Sequence, residues 1–337
     1  VVMDPDTGDL LALASAPTFS PTALAQGIYS GDYATLASDR HQPLFSRAIY
    51  GLYPSGSVVK PFIATAALSL GIITPTTTVP STGGVRVGSS FFADWRAGGH
   101  GIVTVKEAIA QSVNTFFYVV GGGWPRGSRV TGSLAAGLGP DRLATGLRAF
   151  GFGAPTGIDI RGEGAGFVPT PAWKEERQHV PWYIGDTYHL AIGQGDFLVT
   201  PLQVARATAA IANGGSLVTP RLALGPTTNG HIPEPMPHRR PLEGITSDAL
   251  HVVRTAMRFA VTDGSARGLA TLPFFVAGKT GTAQTTANRR THAWFTGFAE
   301  MGSRRIVVTV LIEEGGEGST AAIPIAREIL TAWAHQK

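Results

Sequence analysis

Apolar residues recur with two different periods along the chain, and these periods separate helical from strand-forming regions. A spacing of three to four residues predicts helices over 57–70, 105–113, 140–150, 200–214, 246–261 and 321–334. The clearest of these starts at Thr200, followed by Pro201, and ends at Asn213-Gly214. Thr is a good helix cap and Pro suits the first helical position, so both ends of this helix are predicted by the sequence.

Runs of β-branched and aromatic residues predict strands near both ends of the chain. Residues 1–14 form two apolar runs around a Pro/Asp/Gly turn, which is typical of a hairpin, and three further strands are expected at 274–277, 293–298 and 306–312. Together they predict an antiparallel sheet of about five strands flanked by helices, an α+β fold. Residues 74–103, rich in Gly, Thr and Pro, predict an irregular connection.

Composition excludes several classes of protein. Of 337 residues, 43% are apolar and only 15% are charged, so a large core is expected and disorder is not. The net charge of +4 is spread along the chain without a basic stripe, which gives no indication of nucleic-acid binding. Cysteine is absent, so thiolate catalysis and disulfides are excluded, and the longest apolar stretch, 61–73, is too short to cross a bilayer.

Three short motifs carry candidate chemistry. Ser57 and Lys60 lie three residues apart at a predicted helix start, where an amine can share a face with a hydroxyl and act as its base once its pKa is lowered. Ser112-Val113-Asn114 offers a second hydroxyl and a carboxamide, and Lys279-Thr280-Gly281-Thr282 follows an apolar strand.

Each motif alone has a simpler explanation. A serine that caps a helix beside a solvated lysine is the commoner reason for the first spacing, and a lysine at the end of a strand is usually solvated. In the order SxxK, SxN, KTG, however, the motifs match the signature of penicillin-binding proteins and class A β-lactamases, with Val113 where the signature has Asp.

The resemblance extends beyond these motifs. The segments PLFSRA at 43–48, AIGQGDFLVTPLQ at 191–203 and HAWFTGFA at 292–299 resemble class B penicillin-binding proteins. The Gly-Gln-Gly within the second segment, with PWYIGDT at 181–187, is most similar to the elongation-type penicillin-binding protein 2. This resemblance implies the serine β-lactamase/D,D-transpeptidase-like fold, with a sheet lobe from about 1–50 and 215–337 and an α-rich lobe at about 51–214.

The resemblance also implies an activity, a peptidoglycan D,D-transpeptidase acylated by β-lactams, and a role for each motif residue. Ser57 would be the nucleophile and Lys60 its base, while Ser112 and Lys279 would pass a proton to the leaving amine and Asn114 would hold the acyl side of the substrate. Thr280, Gly281 and Thr282 would form the substrate-binding strand. The two Thr would bind the terminal carboxylate, and the backbone N–H groups of Ser57 and Thr282 would form the oxyanion hole.

The same resemblance implies a setting in the cell. The expected partners are peptidoglycan stem peptides and β-lactam antibiotics, together with a lipid-linked glycan polymerase and cell-shape proteins that would bind an N-terminal anchor and pedestal region preceding Val1. The expected location is the extracytoplasmic face of the bacterial inner membrane. No cofactor is expected.

Two alternative functions and one alternative site remain open. A β-lactamase or D,D-carboxypeptidase would need a group that delivers water to the acyl-enzyme, for which Glu163 is the candidate. A non-catalytic β-lactam sensor would be acylated without turnover. Asp94 and His100, six residues apart, could share a metal ion, but structural zinc usually needs four ligands, so a hydrogen-bonded loop is expected here instead.

Overall fold

A computed structural model describes residues 1–27, 29–125, 133–223, 238–285 and 290–336. Its strands are β1 (Val2–Met3), β2 (Leu10–Ala12), β3 (Val79–Ser81), β4 (Gly84–Val87), β5 (Ser90–Ala93), β6 (Gly101–Val103), β7 (Ser216–Val218), β8 (Arg239–Pro241), β9 (Phe275–Gln284), β10 (Thr291–Met301) and β11 (Arg304–Ile312). Its α-helices are α1 (Pro21–Ala25), α2 (Ser30–Ser38), α3 (Lys60–Ser69), α4 (Val105–Ala110), α5 (Asn114–Gly122), α6 (Ser133–Ala136), α7 (Gly139–Ala149), α8 (Pro171–Gln178), α9 (Ile184–Ala191), α10 (Pro201–Ala212), α11 (Ser247–Asp263) and α12 (Gly318–His335).

The central sheet has five antiparallel strands, as the sequence predicts, and the structure gives their order as β2-β1-β11-β10-β9. The N-terminal hairpin therefore lies on one edge, and β9, which carries the Lys279 motif, is the other edge. Beyond 274–277 the sequence prediction was wrong, because β9 continues to Gln284 and pairs with β10 throughout the motif.

Alternate residues of the strands pack on opposite faces of the sheet. Phe295 and Val308 pack on one face with α12, while Trp294 and Val307 on the other face belong to the main core with α10 and α11. This alternation follows from the two-residue period of a strand. The sheet is thus packed against helices on both faces.

The helices begin where polar side chains can satisfy their free N–H groups. Thr200 accepts from the amide of Gln203, whose side chain accepts in turn from the Thr200 amide, which completes a capping box for α10. Thr246 caps α11 in a similar way through Ala249. The helices predicted at 200–214 and 246–261 are confirmed.

Two other sequence predictions need correction. The helix expected over 105–113 ends at Ala110, and α5 begins at Asn114 after a sharp turn. The connection expected at 74–103 contains short strands, with β3 paired to β6 and β4 paired to β5. Propensity missed these strands because they are short and Gly residues lie at their starts and between them. Gly99, between β5 and β6, approaches β3 so closely that a Cβ there would lie 2.1 Å from the Ser81 carbonyl oxygen.

The lobe boundaries stay a prediction. One core cluster of buried side chains runs from β1 through α3, α5 and α10 to β10 and β11, and α11 packs against both α3 and α4. Both predicted lobes therefore contribute to this cluster.

Candidate active site

Ser57 lies in a 3₁₀ turn, Gly56–Val59, that leads directly into α3. Gly56 has a positive φ of 52°, and a Cβ there would lie 2.8 Å from the carbonyl oxygen of Thr282. Its amide donates to the carbonyl of Gly193 at 2.9 Å. The serine turn is therefore held between strand β9 and the loop at Gly193, and it brings Ser57 next to the motif of Lys279.

Lys60, one turn after Ser57, is fully buried in the floor of the site. Its Nζ lies 2.7 Å from Asn114 Oδ1, 2.8 Å from the Ser112 carbonyl oxygen and 3.3 Å from Ser112 Oγ. Burial lowers the pKa of Lys60 to about 7, while the negative charge of Asp94 acts in the opposite direction. This lysine is not solvated, so the simpler explanation of the SxxK spacing is wrong.

These three contacts suit both protonation states of the amine. A protonated amine has three N–H groups and can donate to all three oxygens. A neutral amine has two N–H groups for the Ser112 carbonyl and Asn114 Oδ1, and its lone pair can accept from the Ser112 hydroxyl. Ser112 Oγ is thus the contact whose direction reverses when Lys60 gains or loses a proton.

Ser112 and Asn114 occupy the turn between α4 and α5. Ser112 has a φ of 59°, an uncommon conformation for a residue with a side chain, and Val113 is fully buried beside it. The amides of Asn114 and Thr115 donate to the carboxylate of Asp94 at 3.2 and 3.0 Å. Asp94, twenty residues upstream of Asn114, therefore fixes this turn.

Strand β9 forms the opposite wall. Lys279 is fully buried, its Nζ donates to the Thr280 carbonyl at 2.7 Å, and burial together with the charge of Lys60 lowers its pKa well below the ordinary value. Thr280 Oγ1 donates to Ser265 Oγ at 2.6 Å, whereas Thr282 is exposed. At Gly281 a Cβ would lie 2.9 Å from Val58 Cγ1, so a glycine is needed for the strand to approach the serine turn.

One predicted contact is absent. If Lys60 is the base of Ser57, the two side chains should lie within hydrogen-bond reach, but in the described ranges no hydrogen bond joins them, and Lys60 Nζ is bonded to Ser112 and Asn114 instead. Glu163 Oε2 accepts from the amides of Thr156 and Gly157 at 2.8 and 3.1 Å, so it is held by its own loop.

The Asp94–His100 pair is a polar cluster packed behind the Ser112–Asn114 turn. His100 Nδ1 lies 3.8 Å from Asp94 Oδ2, and both side chains are buried. Among the described residues, no group of three or more His, Cys, Asp or Glu side chains is arranged to hold a metal ion. Within the same ranges, none of the helices combines the length and the apolar character that a membrane span requires.

The geometry agrees with comparisons to known proteins. The profile of the penicillin binding protein transpeptidase domain matches residues 1–331. The chain belongs to this family. The transpeptidase domain is 36% identical over 359 residues to the peptidoglycan D,D-transpeptidase MrdA of Haemophilus influenzae, covering 100% of this chain and 53% of that protein.

Solved structures confirm the fold and the resemblance to penicillin-binding protein 2. The transpeptidase domain is similar to PBP2 of Pseudomonas aeruginosa in complex with WCK 5153 (34% identity, TM-score 0.84, covering 100% of this chain and 73% of that one). It is also similar to PBP2 in the Helicobacter pylori complex of PBP2 and MreC (32% identity, TM-score 0.83, covering 99% of this chain and 60% of that one). The chain spans about half the length of the curated relatives it matches.

Sequence reasoning missed two contributors to the site of this transpeptidase domain. The sequence predicts a hydrogen-bonded loop at Asp94 but not its place as the cap of α5, which has no local signal because the amides it binds lie twenty residues away. Gly193 was noted within Gly-Gln-Gly, but its contact with the serine turn was not expected. A Cβ at Gly193 would lie 2.2 Å from the Gly56 carbonyl oxygen, and its φ is 73°.

Proposed function

We propose that this chain is the catalytic domain of a peptidoglycan D,D-transpeptidase that cross-links stem peptides through an acyl-enzyme on Ser57. The observation that carries the proposal is the buried Lys60 amine, bonded to both Ser112 and Asn114. A lysine whose pKa is lowered by burial to about 7 is half neutral near neutral pH and can accept a proton from a serine. The name of the H. influenzae relative, a D,D-transpeptidase, supports the reaction class.

In the acylation step, Ser57 Oγ attacks the carbonyl carbon of the penultimate D-Ala of a donor stem, and its proton moves to the neutral Lys60 amine. The carbonyl oxygen becomes an oxyanion that the backbone N–H groups of Ser57 and Thr282 would stabilise. The closeness of Gly56 to the Thr282 carbonyl supports this pairing, because it brings the serine turn and β9 together. Thr280 and Thr282 would bind the terminal carboxylate, with Gly281 allowing the close approach.

Collapse of the oxyanion breaks the C–N bond and requires a proton on the leaving D-Ala nitrogen. Ser112 Oγ, which contacts Lys60 Nζ, is suited to pass that proton on, with Lys279 on the other side of the site. Asn114 would hold the acyl chain of the donor. An acceptor amine from a second stem then attacks the Ser57 ester, loses its proton along the same relay and regenerates the serine hydroxyl.

The proposal extends to setting and partners. The H. pylori PBP2 structure contains MreC, and another similar structure is described as a peptidoglycan synthase complex. We propose that the protein containing this domain works in a comparable assembly with a lipid-linked glycan polymerase at the extracytoplasmic face of the inner membrane. β-Lactams would acylate Ser57 in place of the stem peptide.

The hydrolase alternative has less support. It depends on Glu163 as the residue that activates water, but Glu163 Oε2 is bound to the amides of Thr156 and Gly157. A sensor that is acylated without turnover would need the same removal of the Ser57 proton, so transfer of the acyl group to an amine is what distinguishes it from a transpeptidase.

The decisive test is transfer of a peptide to an amine. We expect the protein, incubated with a stem peptide ending in D-Ala-D-Ala and an excess of D-amino acid, to yield peptide with the last residue exchanged, detected by mass spectrometry. Ser57→Ala should yield none. Shortened peptide without exchange would instead show a carboxypeptidase, and an unchanged peptide with an acylable Ser57 would show a sensor.

A further inference from the structure

Asp94 lies just after β5 and is almost entirely buried, although it is ionisable. Its Oδ1 accepts from the amides of Trp95 and Asn114 at 2.8 and 3.2 Å. Its Oδ2 accepts from the amide and hydroxyl of Thr115 at 3.0 and 2.8 Å and from the Ser81 hydroxyl at 3.3 Å. A carboxylate that accepts this many hydrogen bonds is stabilised in its charged form, because each donor replaces lost hydration.

These hydrogen bonds hold the turn between α4 and α5 that carries Ser112 and Asn114. Val113, the residue that precedes α5, provides no side-chain cap, so the first N–H groups of the helix need another acceptor. Asp94 supplies it, and a negative charge at a helix N-terminus is also favourable for the helix dipole. The backbone that carries Ser112 and the side chain of Asn114 is thereby tied to the segment that follows β5.

The charge of Asp94 also acts on Lys60. The charged and titratable groups that face this region come from three parts of the fold. They are Asp94, Arg96 and His100 from the 74–103 connection, Tyr118 from α5 and Lys279 from β9. Burial disfavours the charged form of Lys60, and Asp94 raises its pKa in opposition. Burial lowers the pKa of His100, which favours the neutral ring. The pKa of Lys279 is lowered mainly by burial and also by the positive charge of Lys60. The pKa of Tyr118 is raised mainly by burial and also by the negative charge of Asp94. Asp94 is therefore the negative charge in this group.

We propose that Asp94 is a positioning residue for acylation, whose carboxylate fixes the start of α5 against the Lys60 amine and places a negative charge near that amine. This inference rests on the proposed function and adds a residue to it. Asp94 touches neither the substrate nor the reacting atoms; it acts through Asn114, Ser112 and Lys60.

The test compares Asp94→Asn with Thr115→Val, using the rate of acylation by a fluorescent penicillin from pH 5 to 9. Thr115→Val removes one hydrogen bond to the carboxylate but keeps the charge. We expect it to slow acylation about threefold to tenfold with an unchanged pH midpoint. Asp94→Asn should slow acylation by on the order of 100-fold. It should also move the midpoint of the acid limb down by roughly one pH unit, because Lys60 loses a neighbouring negative charge.

The outcomes separate this inference from the proposed function. A midpoint that stays in place in Asp94→Asn, with a loss equal to that of Thr115→Val, would show a helix cap alone and overturn the proposal. If Asp94→Asn does not fold, Thr115→Val decides, since acylation at the wild-type rate would contradict a positioning role. A wild-type protein that does not react at Ser57 would instead overturn the proposed function itself.

Discussion

Gly193 offers a sharp test of how the serine turn is held in place. It has a φ of 73°, and a Cβ there would lie 2.2 Å from the Gly56 carbonyl oxygen and 2.3 Å from Ser55 Oγ. Both contacts are too close for real atoms, and the closer one is with a backbone oxygen that cannot move aside without disturbing the turn. Gly193→Ala must therefore displace either its own loop or the turn that carries Ser57.

The magnitude follows from a matched neighbour. Gly195 has almost the same φ, 74°, but a Cβ there would meet only His189 Cβ at 3.5 Å, an ordinary contact. Gly195→Ala should cost about 1 kcal/mol for the left-handed backbone alone. Gly193→Ala carries the same backbone cost plus the overlap, and we expect about 3 kcal/mol in total.

The assay measures stability and reactivity in parallel. At roughly 2 °C per kcal/mol for a chain of this size, the thermal midpoint should fall by about 2 °C in Gly195→Ala and about 6 °C in Gly193→Ala. Acylation by a fluorescent penicillin should slow at least about 100-fold in Gly193→Ala, because a displacement near 1 Å of a reacting group has that effect. Equal acylation rates in the two variants would refute the claim that this contact positions Ser57.

Four other predictions concern the proton relay and the packing around it. Acylation should rise with pH through a midpoint near 7, where the Lys60 amine becomes neutral, and a pH-independent rate from 5 to 9 would exclude Lys60 as the base. Lys60→Met should abolish acylation. It should also raise the thermal midpoint at pH 6, because burial of the charged amine destabilises the fold and Lys60 is protonated once the pH falls below its pKa of about 7. Ser112→Ala should slow acylation by about 100-fold or more while leaving far-ultraviolet circular dichroism unchanged, and a smaller loss would remove Ser112 from the relay. Tyr53→Phe, which loses a 2.7 Å bond to Glu313, should cost about 1 kcal/mol by thermal melting, against almost nothing for the exposed control Tyr50→Phe.

The sequence predicts the parts of this molecule whose signals are local. Helix α10 has its cap, its first-turn proline and its terminal Asn-Gly within one stretch, so its bounds are predicted closely. The three β-strands of the last third are predicted from their apolar runs, but β9 is predicted too short. Gly278 and Gly281 interrupt its pattern, although each is there because a Cβ would meet a neighbour, Phe295 for the first and Val58 for the second.

The sequence predicts which motif residues lie together but not the contacts between their side chains. The order of the motifs predicts that Ser57, Lys60 and Ser112 lie close together. The structure places Lys60 and Ser112 in contact, although 52 residues separate them. The missing Ser57–Lys60 bond and the cap by Asp94 depend on side chains brought together by tertiary packing. No periodicity or local propensity encodes such contacts, because they depend on where the 74–103 connection folds back onto α5.

The central claim is that Ser57 forms a covalent acyl-enzyme within this fold. Incubation with benzylpenicillin, followed over hours by intact-protein mass and by mapping of the modified peptide, tests it most directly. We expect one adduct per chain, located on Ser57, that persists for hours and is absent from Ser57→Ala. An adduct on another residue, or none at all in a folded wild-type protein, would contradict it, and an adduct that clears within seconds would show a β-lactamase.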